Sequence, residues 1–238
     1  LYENTIVVYN SDHGGVIARS KRFLYSSGIH CPLIVRIPAK WKHLYPEGKK
    51  PGSTIDRIVS FIDMPKTWLS LTGAEITDNF QGRIFLGPNT EPKPDHHFSW
   101  RSRADERYDC VRVMRDEQFA YHKNYMPFAP NGQYLAYMHK MKATGAWERH
   151  HKAGKTNAVT GRFFEPRPPE EFYDNFKDFH NVINLIDDPL HQAKIKELKK
   201  ELRRQQLKYF DSGLIPEAMR GRLVKEQNTT VYAFVRDP

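Results

Sequence analysis

Thr5-Ile6-Val7-Val8-Tyr9-Asn10-Ser11-Asp12-His13-Gly14-Gly15 is the stretch on which the reading of this chain turns. A run of β-branched and aromatic residues stops at a polar turn, which predicts a strand whose carboxyl end carries two potential metal ligands, Asp12 and His13. A continuous apolar run of this kind is expected of a central parallel strand covered on both faces. In open α/β sheets, chemistry collects at the carboxyl ends of such strands. Gly14 and Gly15 predict a tight turn that leaves the Asp12 and His13 side chains facing a site.

Working outward, Lys21 follows eight residues after His13, and then comes Leu24-Tyr25-Ser26-Ser27-Gly28-Ile29-His30-Cys31-Pro32-Leu33-Ile34-Val35. The Pro32–Pro38 stretch predicts a second strand. Ile58-Val59-Ser60-Phe61-Ile62-Asp63-Met64-Pro65-Lys66-Thr67-Trp68-Leu69 leads into a helix over Asp63–Leu71, with Asp63 at its N-cap, Pro65 in its first turn and Gly73 as its stop. A Lys-rich polar loop, Lys40–Pro51, separates these elements. After the turn-rich Pro88–Pro94 linker the text alternates, and His97–Trp100, Asp109–Arg115 and Gln118–Lys123 predict short antiparallel strands. Asn124–Pro169 lacks a clean period and reads as an irregular insertion wrapping the site. Pro189–Phe210 predicts an amphipathic helix with Ile195, Leu198, Leu202 and Tyr209 as its apolar stripe, and Val231–Val235 a last strand.

In this order the residues resemble the C-terminal half of a formylglycine-dependent, type I sulfatase of the alkaline-phosphatase superfamily. The shared pattern is strand, Asp-(His/Asn)-Gly, a Lys followed by Tyr-x-x-Gly, then an apolar strand entered through Pro. Three later matches agree: Ile58–Leu69 resembles the family's Asp-x-x-Pro-Thr helix, Gln81-Gly82-Arg83 its Gly-x-Ser/Arg element, and Pro169-Glu170-Glu171-Phe172-Tyr173-Asp174 the Glu-Leu-Tyr-Asp segment before Asn184-Leu185. The resemblance implies an α/β fold: part of the central mixed sheet of an alkaline-phosphatase-like sandwich with flanking helices, plus a smaller C-terminal subdomain of antiparallel sheet and helix. The expected division is residues 1–90 for the catalytic α/β part and 91–238 for the subdomain, with the insertion at about 124–169.

The same resemblance implies roles. Asp12 and His13 match two ligands of a divalent ion, normally calcium; an imidazole is untypical for calcium and leaves room for manganese or zinc. Lys21 matches the catalytic lysine that contacts the sulfate and the nucleophile's oxygen, as a compact point charge. His30 stands where relatives carry a residue beside the pocket. Arg101, Arg103 and Asp105 resemble an Arg-x-Arg-x-Asp-Glu segment, and paired Arg and carboxylate groups suit sugar hydroxyls and acidic groups. Ser26-Ser27 departs from the family, where many relatives carry Glu. The nucleophile's Cys/Ser-x-Pro/Ala-x-Arg motif is not found: Pro32 directly follows Cys31, and Cys110 is followed by Val111-Arg112. The sequence therefore reads as a C-terminal portion, inactive alone, whose partners are a sulfated carbohydrate or other sulfate ester and the N-terminal portion carrying the formylglycine.

Composition sets the outer bounds. With 238 residues, 39% of them hydrophobic, the chain can bury a sizeable core. Its two cysteines make no disulfide framework, and no apolar run approaches a membrane span. The net charge of +9 admits a polyanion partner, but much of the excess lies on the solvated face of the C-terminal helix, which argues against nucleic acid. The resemblance favours export to a periplasm, the cell surface or the medium. Two other functions stay open in the residues alone. One is a metal-dependent phosphomonoester or phosphodiester hydrolase of the same superfamily; the other is a non-catalytic polyanion-binding module using the basic region Lys140–Arg167.

Overall fold

The computed structural model describes residues 1–231 and 233, in two compact units, residues 1–12 with 31–97 and residues 13–30 with 98–238. The expected strand Val231–Val235 lies largely outside the described residues.

In the first unit the decisive stretch forms strand β1 (Val7–Asn10). It does not pair in parallel: β1 runs antiparallel to β2 (Leu33–Arg36), with Val8 opposite Val35 and Tyr9 opposite Ile34, in a sheet of two strands. The apolar run is also not covered on both faces, since Val7, Tyr9 and Ile34 are 49%, 61% and 62% exposed. Side-chain composition specified an apolar surface for β1 and not its partner, because β-propensity reports burial and packing more than pairing. In sequence, α1 (Ser26–Ile29) comes between the two strands but belongs to the second unit.

After a 3₁₀ segment at Ala39–Leu44, helix α2 spans Asp63–Thr72 and ends on Gly73 in the left-handed conformation, φ 70°, as expected; its N-cap is Ile62 and not Asp63, whose carboxylate is taken up by backbone N–H groups outside the helix. The family-like motifs of this unit form one knot. The buried Asp63 carboxylate accepts from the backbone N–H of Ser60 and of Arg83, each at 2.8 Å. The Thr67 hydroxyl donates to the Asp63 carbonyl at 2.7 Å and accepts from Phe85 N–H at 3.2 Å. Gly82 is obligatory in this packing, because a Cβ there would lie 1.9 Å from the Ile62 carbonyl oxygen. Glu91 closes the knot, accepting from Ile84 N–H at 2.6 Å and Lys66 Nζ at 2.9 Å.

The second unit is built on a four-stranded sheet in the order β3 (His97–Ala104), β4 (Arg107–Arg115), β5 (Phe119–Asn124) and β6 (Glu170–Asp174). β5 is antiparallel to both neighbours, with Val113 opposite His122 and Phe172 opposite Tyr121. The expected irregular insertion is partly helical: α3 (Ala136–His139), α4 (Lys142–Lys152) and α5 (Ala158–Gly161), the last opened by an Asn157 capping box. Helix α6 (Gln192–Lys208) places Ile195, Leu198 and Leu202, all at most 4% exposed, against Met114, Tyr121 and Phe172 of the sheet. Burying each such side chain contributes about 1.5–3 kcal/mol. Tyr209, expected in that stripe, lies past the helix end, where its half-exposed ring stacks on Phe98 at 6.2 Å. Two of the α6 lysines are paired across to the sheet: Lys194 with Asp116 at 3.2 Å and Lys199 with Glu170 at 2.6 Å. A further helix, α7, spans Glu217–Glu226.

Residues 13–30 belong to this second unit, although the sequence drew a single boundary near residue 90. The reason is side-chain packing. Phe23 and Tyr25, 2% and 6% exposed, sit in one core cluster with Leu135, Met138, Phe163 and Tyr173.

Candidate active site

The segment from His13 to His30 is a hydrogen-bonded loop that presents Lys21. Gly14 N–H donates to the Gly28 carbonyl at 3.0 Å, and Lys21 N–H to the Gly15 carbonyl at 3.1 Å. The Ser20 hydroxyl donates to the Ser27 carbonyl at 2.6 Å, and the Ser27 hydroxyl to the Arg19 carbonyl at 2.7 Å. Gly14 is required here by close approach and not by a positive φ: a Cβ on it would fall 1.9 Å from the Ser27 carbonyl oxygen. Arg19 and Arg22, on either side of Lys21, hold positive φ of 62° and 81°. Each such non-glycine residue costs on the order of 1 kcal/mol or more, strain that the surrounding hydrogen bonds must offset.

The loop is locked from below. Ser26 N–H donates to Asn181 Oδ1 at 2.8 Å and the Ser26 hydroxyl to Asn175 Oδ1 at 3.0 Å. The serine pair that departs from the family pattern therefore serves as internal bracing, with Ser26 buried. Arg19 donates to the Asn181 carbonyl at 2.6 Å while its guanidinium lies 3.8 Å over the Tyr25 ring. Tyr25 donates to Glu171 at 3.1 Å, and burial, followed by the Glu171 charge, pushes its hydroxyl up to about 12. His122 stacks on Tyr25 with ring centroids 5.2 Å apart and is pushed down to about 4 by burial, which outweighs the attraction of Glu171.

The remaining sequence candidates divide. Asp12, exposed, ends the first segment of unit one, and His13, half-buried, begins unit two. The His13 Nδ1 lies 2.6 Å from the Gly14 carbonyl oxygen, which can only accept. In that contact Nδ1 is the donor, and it ties the ring to the backbone of its own turn. His30 is exposed, its ring 5.4 Å from that of Phe179, and burial of its ring, then Arg115, lowers its pKa. Arg101 is buried at 6% exposure, its guanidinium 4.7 Å over the Phe23 ring and 3.4 Å from Asp109 Oδ2. Arg103 pairs at the surface with Glu217, and Asp105 accepts from Arg22 Nε at 2.8 Å.

Sequence reasoning passed over the buried charges behind the loop. Arg167 grips Asp109 with Nη2 at 2.6 Å and Nη1 at 3.2 Å, and Arg112 grips Asp211 at 2.6 and 2.7 Å. Asp109 and Arg112 stand inside the apolar text of β4, and Glu171 stands beside Phe172-Tyr173. A charge embedded in a buried strand is the signal that could have found them.

The sulfatase family model matches residues 1–74. An ulvan-active sulfatase of Formosa agariphila is 34% identical over 92% of this chain, and an N-acetylglucosamine-6-O-sulfatase of Bacteroides thetaiotaomicron is 25% identical over 88%. The chain belongs to the sulfatase family. It spans about a third of those relatives, 35% and 31% of their lengths. Among solved structures, a sulfatase-like protein of Bacteroides thetaiotaomicron covers 88% of the chain at TM-score 0.59 and 17% identity. BT4656, solved in complex with its substrate D-glucosamine-2-N,6-O-disulfate, covers 88% at TM-score 0.56 and 23% identity. These likenesses confirm the expected alkaline-phosphatase-like sulfatase fold for this chain, which has antiparallel sheets in both units.

Among the described residues, no three His, Cys, Asp or Glu side chains are arranged to hold a metal ion, and no helix is long and apolar enough to cross a membrane.

Proposed function

We propose that this sulfatase-family chain is the metal- and sulfate-binding portion of an exported enzyme that hydrolyses sulfate esters or sulfamates on carbohydrates. The observation that carries the reading is the strained, cross-braced loop that holds Lys21 a short chain length from Asp12 and His13. Strain maintained by this many hydrogen bonds is characteristic of functional loops. The carbohydrate class is supported by relatives that act on ulvan and N-acetylglucosamine 6-O-sulfate. The exposed apolar faces of β1 and β2 support a partner surface on the remaining polypeptide, which we propose also carries the formylglycine nucleophile and the other metal ligands.

The donor types fit a divalent cation: Asp12 offers a hard oxygen and His13 an imidazole nitrogen. Calcium accords with the carboxylate, and manganese or zinc with the imidazole. A bound ion would supply Lewis-acid stabilisation of charge on the sulfate oxygens. Lys21 contributes a second positive charge, placed before the reaction by its loop, so little reorganisation is needed as charge develops. His30, at the exposed end of α1, would be a contact for substrate. Arg103 and Asp105 are held in ion pairs, and Arg101 would act through its packing on the Phe23 ring.

The test is release of inorganic sulfate from sulfated mono- and oligosaccharides by the full-length enzyme, beside release of phosphate from matched phosphate esters. Sulfate release abolished by a metal chelator supports the reading. Phosphate release without sulfate release would assign the chain to a phosphohydrolase. Binding of a sulfated polymer with no turnover, undiminished in Asp12→Ala, would make it a polyanion-binding module.

A further inference from the structure

Three segments distant in sequence meet around Tyr137 in the second unit. The half-exposed Tyr137 ring has Arg22 Cζ at 4.8 Å, Lys21 Nζ at 5.0 Å and Lys140 Nζ at 5.7 Å from its centroid. The two carboxylates at the tip of the β3–β4 hairpin brace this cluster, and Asp105 pairs with the Arg22 charge, leaving the two ammonium groups without a carboxylate among the described residues. Asp105 accepts from Arg22, and Glu106 accepts from the Ala136 N–H at 2.7 Å, holding the start of α3. Arg107 Nε donates to the Tyr134 carbonyl at 2.8 Å, tying the same hairpin to the same helix. Among the described residues neither Lys21 nor Lys140 has a carboxylate partner, in contrast to Lys194 and Lys199 on α6.

Two ammonium groups whose close company is an aromatic face, on a framework pinned at three points, favour an anion carried on a flat apolar body. We infer that Tyr137 and Lys140, on a framework braced by the Arg22–Asp105 pair, form a subsite for a second acidic group on a saccharide whose cleaved sulfate lies at Lys21. The Tyr137 ring receives the C–H face of the sugar, and Lys140 meets a sulfate or carboxylate on the neighbouring position or neighbouring unit. This inference rests on reading Lys21 as a sulfate contact. It makes the enzyme selective for polyanionic saccharides over isolated sulfate esters.

The experiment compares kcat and KM of the full-length enzyme on 4-nitrophenyl sulfate, a monosulfated disaccharide and the same disaccharide carrying a second sulfate. Lys140→Ala should raise KM for the disulfated substrate about ten- to a hundredfold, the loss of one charge-assisted contact, and leave the aryl sulfate unchanged. Lys140→Arg should restore most of that loss, and Tyr137→Phe should retain the discrimination. Equal effects of Lys140→Ala on all three substrates, or none on any, would overturn the subsite. Failure of the wild-type enzyme to hydrolyse any of the three would instead refute the parent reading.

Discussion

The Arg167 guanidinium holds the fully buried Asp109 carboxylate in a two-pronged grip, joining the end of the 124–169 segment to the start of β4. Arg101 approaches the same carboxylate at 3.4 Å. Removing one member of such a group leaves an uncompensated buried charge. Asp109→Ala should therefore lower stability by about 3–5 kcal/mol, read as a drop in the thermal unfolding midpoint of the full-length enzyme. A change below about 1 kcal/mol would show that the pair is solvated.

Gly14 and Gly15 are neighbours with opposite tolerances. A Cβ on Gly14 meets the Ser27 carbonyl oxygen at 1.9 Å, whereas on Gly15 its nearest neighbour is Ile17 Cγ1 at 3.8 Å. Gly14→Ala should destabilise by about 1–3 kcal/mol, and Gly15→Ala should stay within about 0.5 kcal/mol of wild type. Denaturant unfolding of both variants decides the matter, and equal costs would contradict the packing described for the Lys21 loop.

His122 should make stability pH-dependent in a defined window. Burial lowers it from 6.5 to about 4 in the folded chain, so between those values the unfolded chain binds a proton that the folded chain does not. Its contribution is fully present above pH 6.5 and is lost as pH falls toward 4, by as much as about 3 kcal/mol. His122→Phe should flatten the unfolding midpoint across that window. An unchanged slope in the variant would show that the imidazole does not titrate there.

Lys21→Ala should reduce kcat on sulfate esters by about a hundred- to a thousandfold, the scale for losing one preorganised charge at a developing anion. Steady-state kinetics alongside unfolding of the same variant separates this from a folding defect. A loss below about fivefold would remove Lys21 from the reaction.

Much of this architecture was legible as periodicity. The apolar stripe of α6, the Gly73 stop of α2 and the alternating strands around β4 each depend on residues near one another in sequence, whereas Asp63, expected at the N-cap, has its carboxylate bonded to the backbone N–H groups of Ser60 and Arg83. The loop 13–30 was misjudged because its membership of the second unit depends on Phe23 and Tyr25 packing on residues more than 100 positions away. The helices of the 124–169 segment are short, and α3 and α5 have four residues each, too few for a period to register. For the site, the order Asp12, His13, Lys21, Tyr25, Gly28 marked the loop through its resemblance to sulfatases, but charge alone misled at Arg101. Its pairing with Asp109 under the Phe23 ring takes it into the interior, and no local pattern announces a partner eight residues along the opposite strand of a hairpin.

The most direct measurement is peptide mass mapping of the full-length polypeptide purified from its native host. The account predicts, upstream of this chain, a Cys or Ser within a Cys/Ser-x-Pro/Ala-x-Arg motif whose mass corresponds to formylglycine. An unmodified Ser or Thr at the nucleophile position would contradict it and turn the metal and lysine site toward phosphate esters.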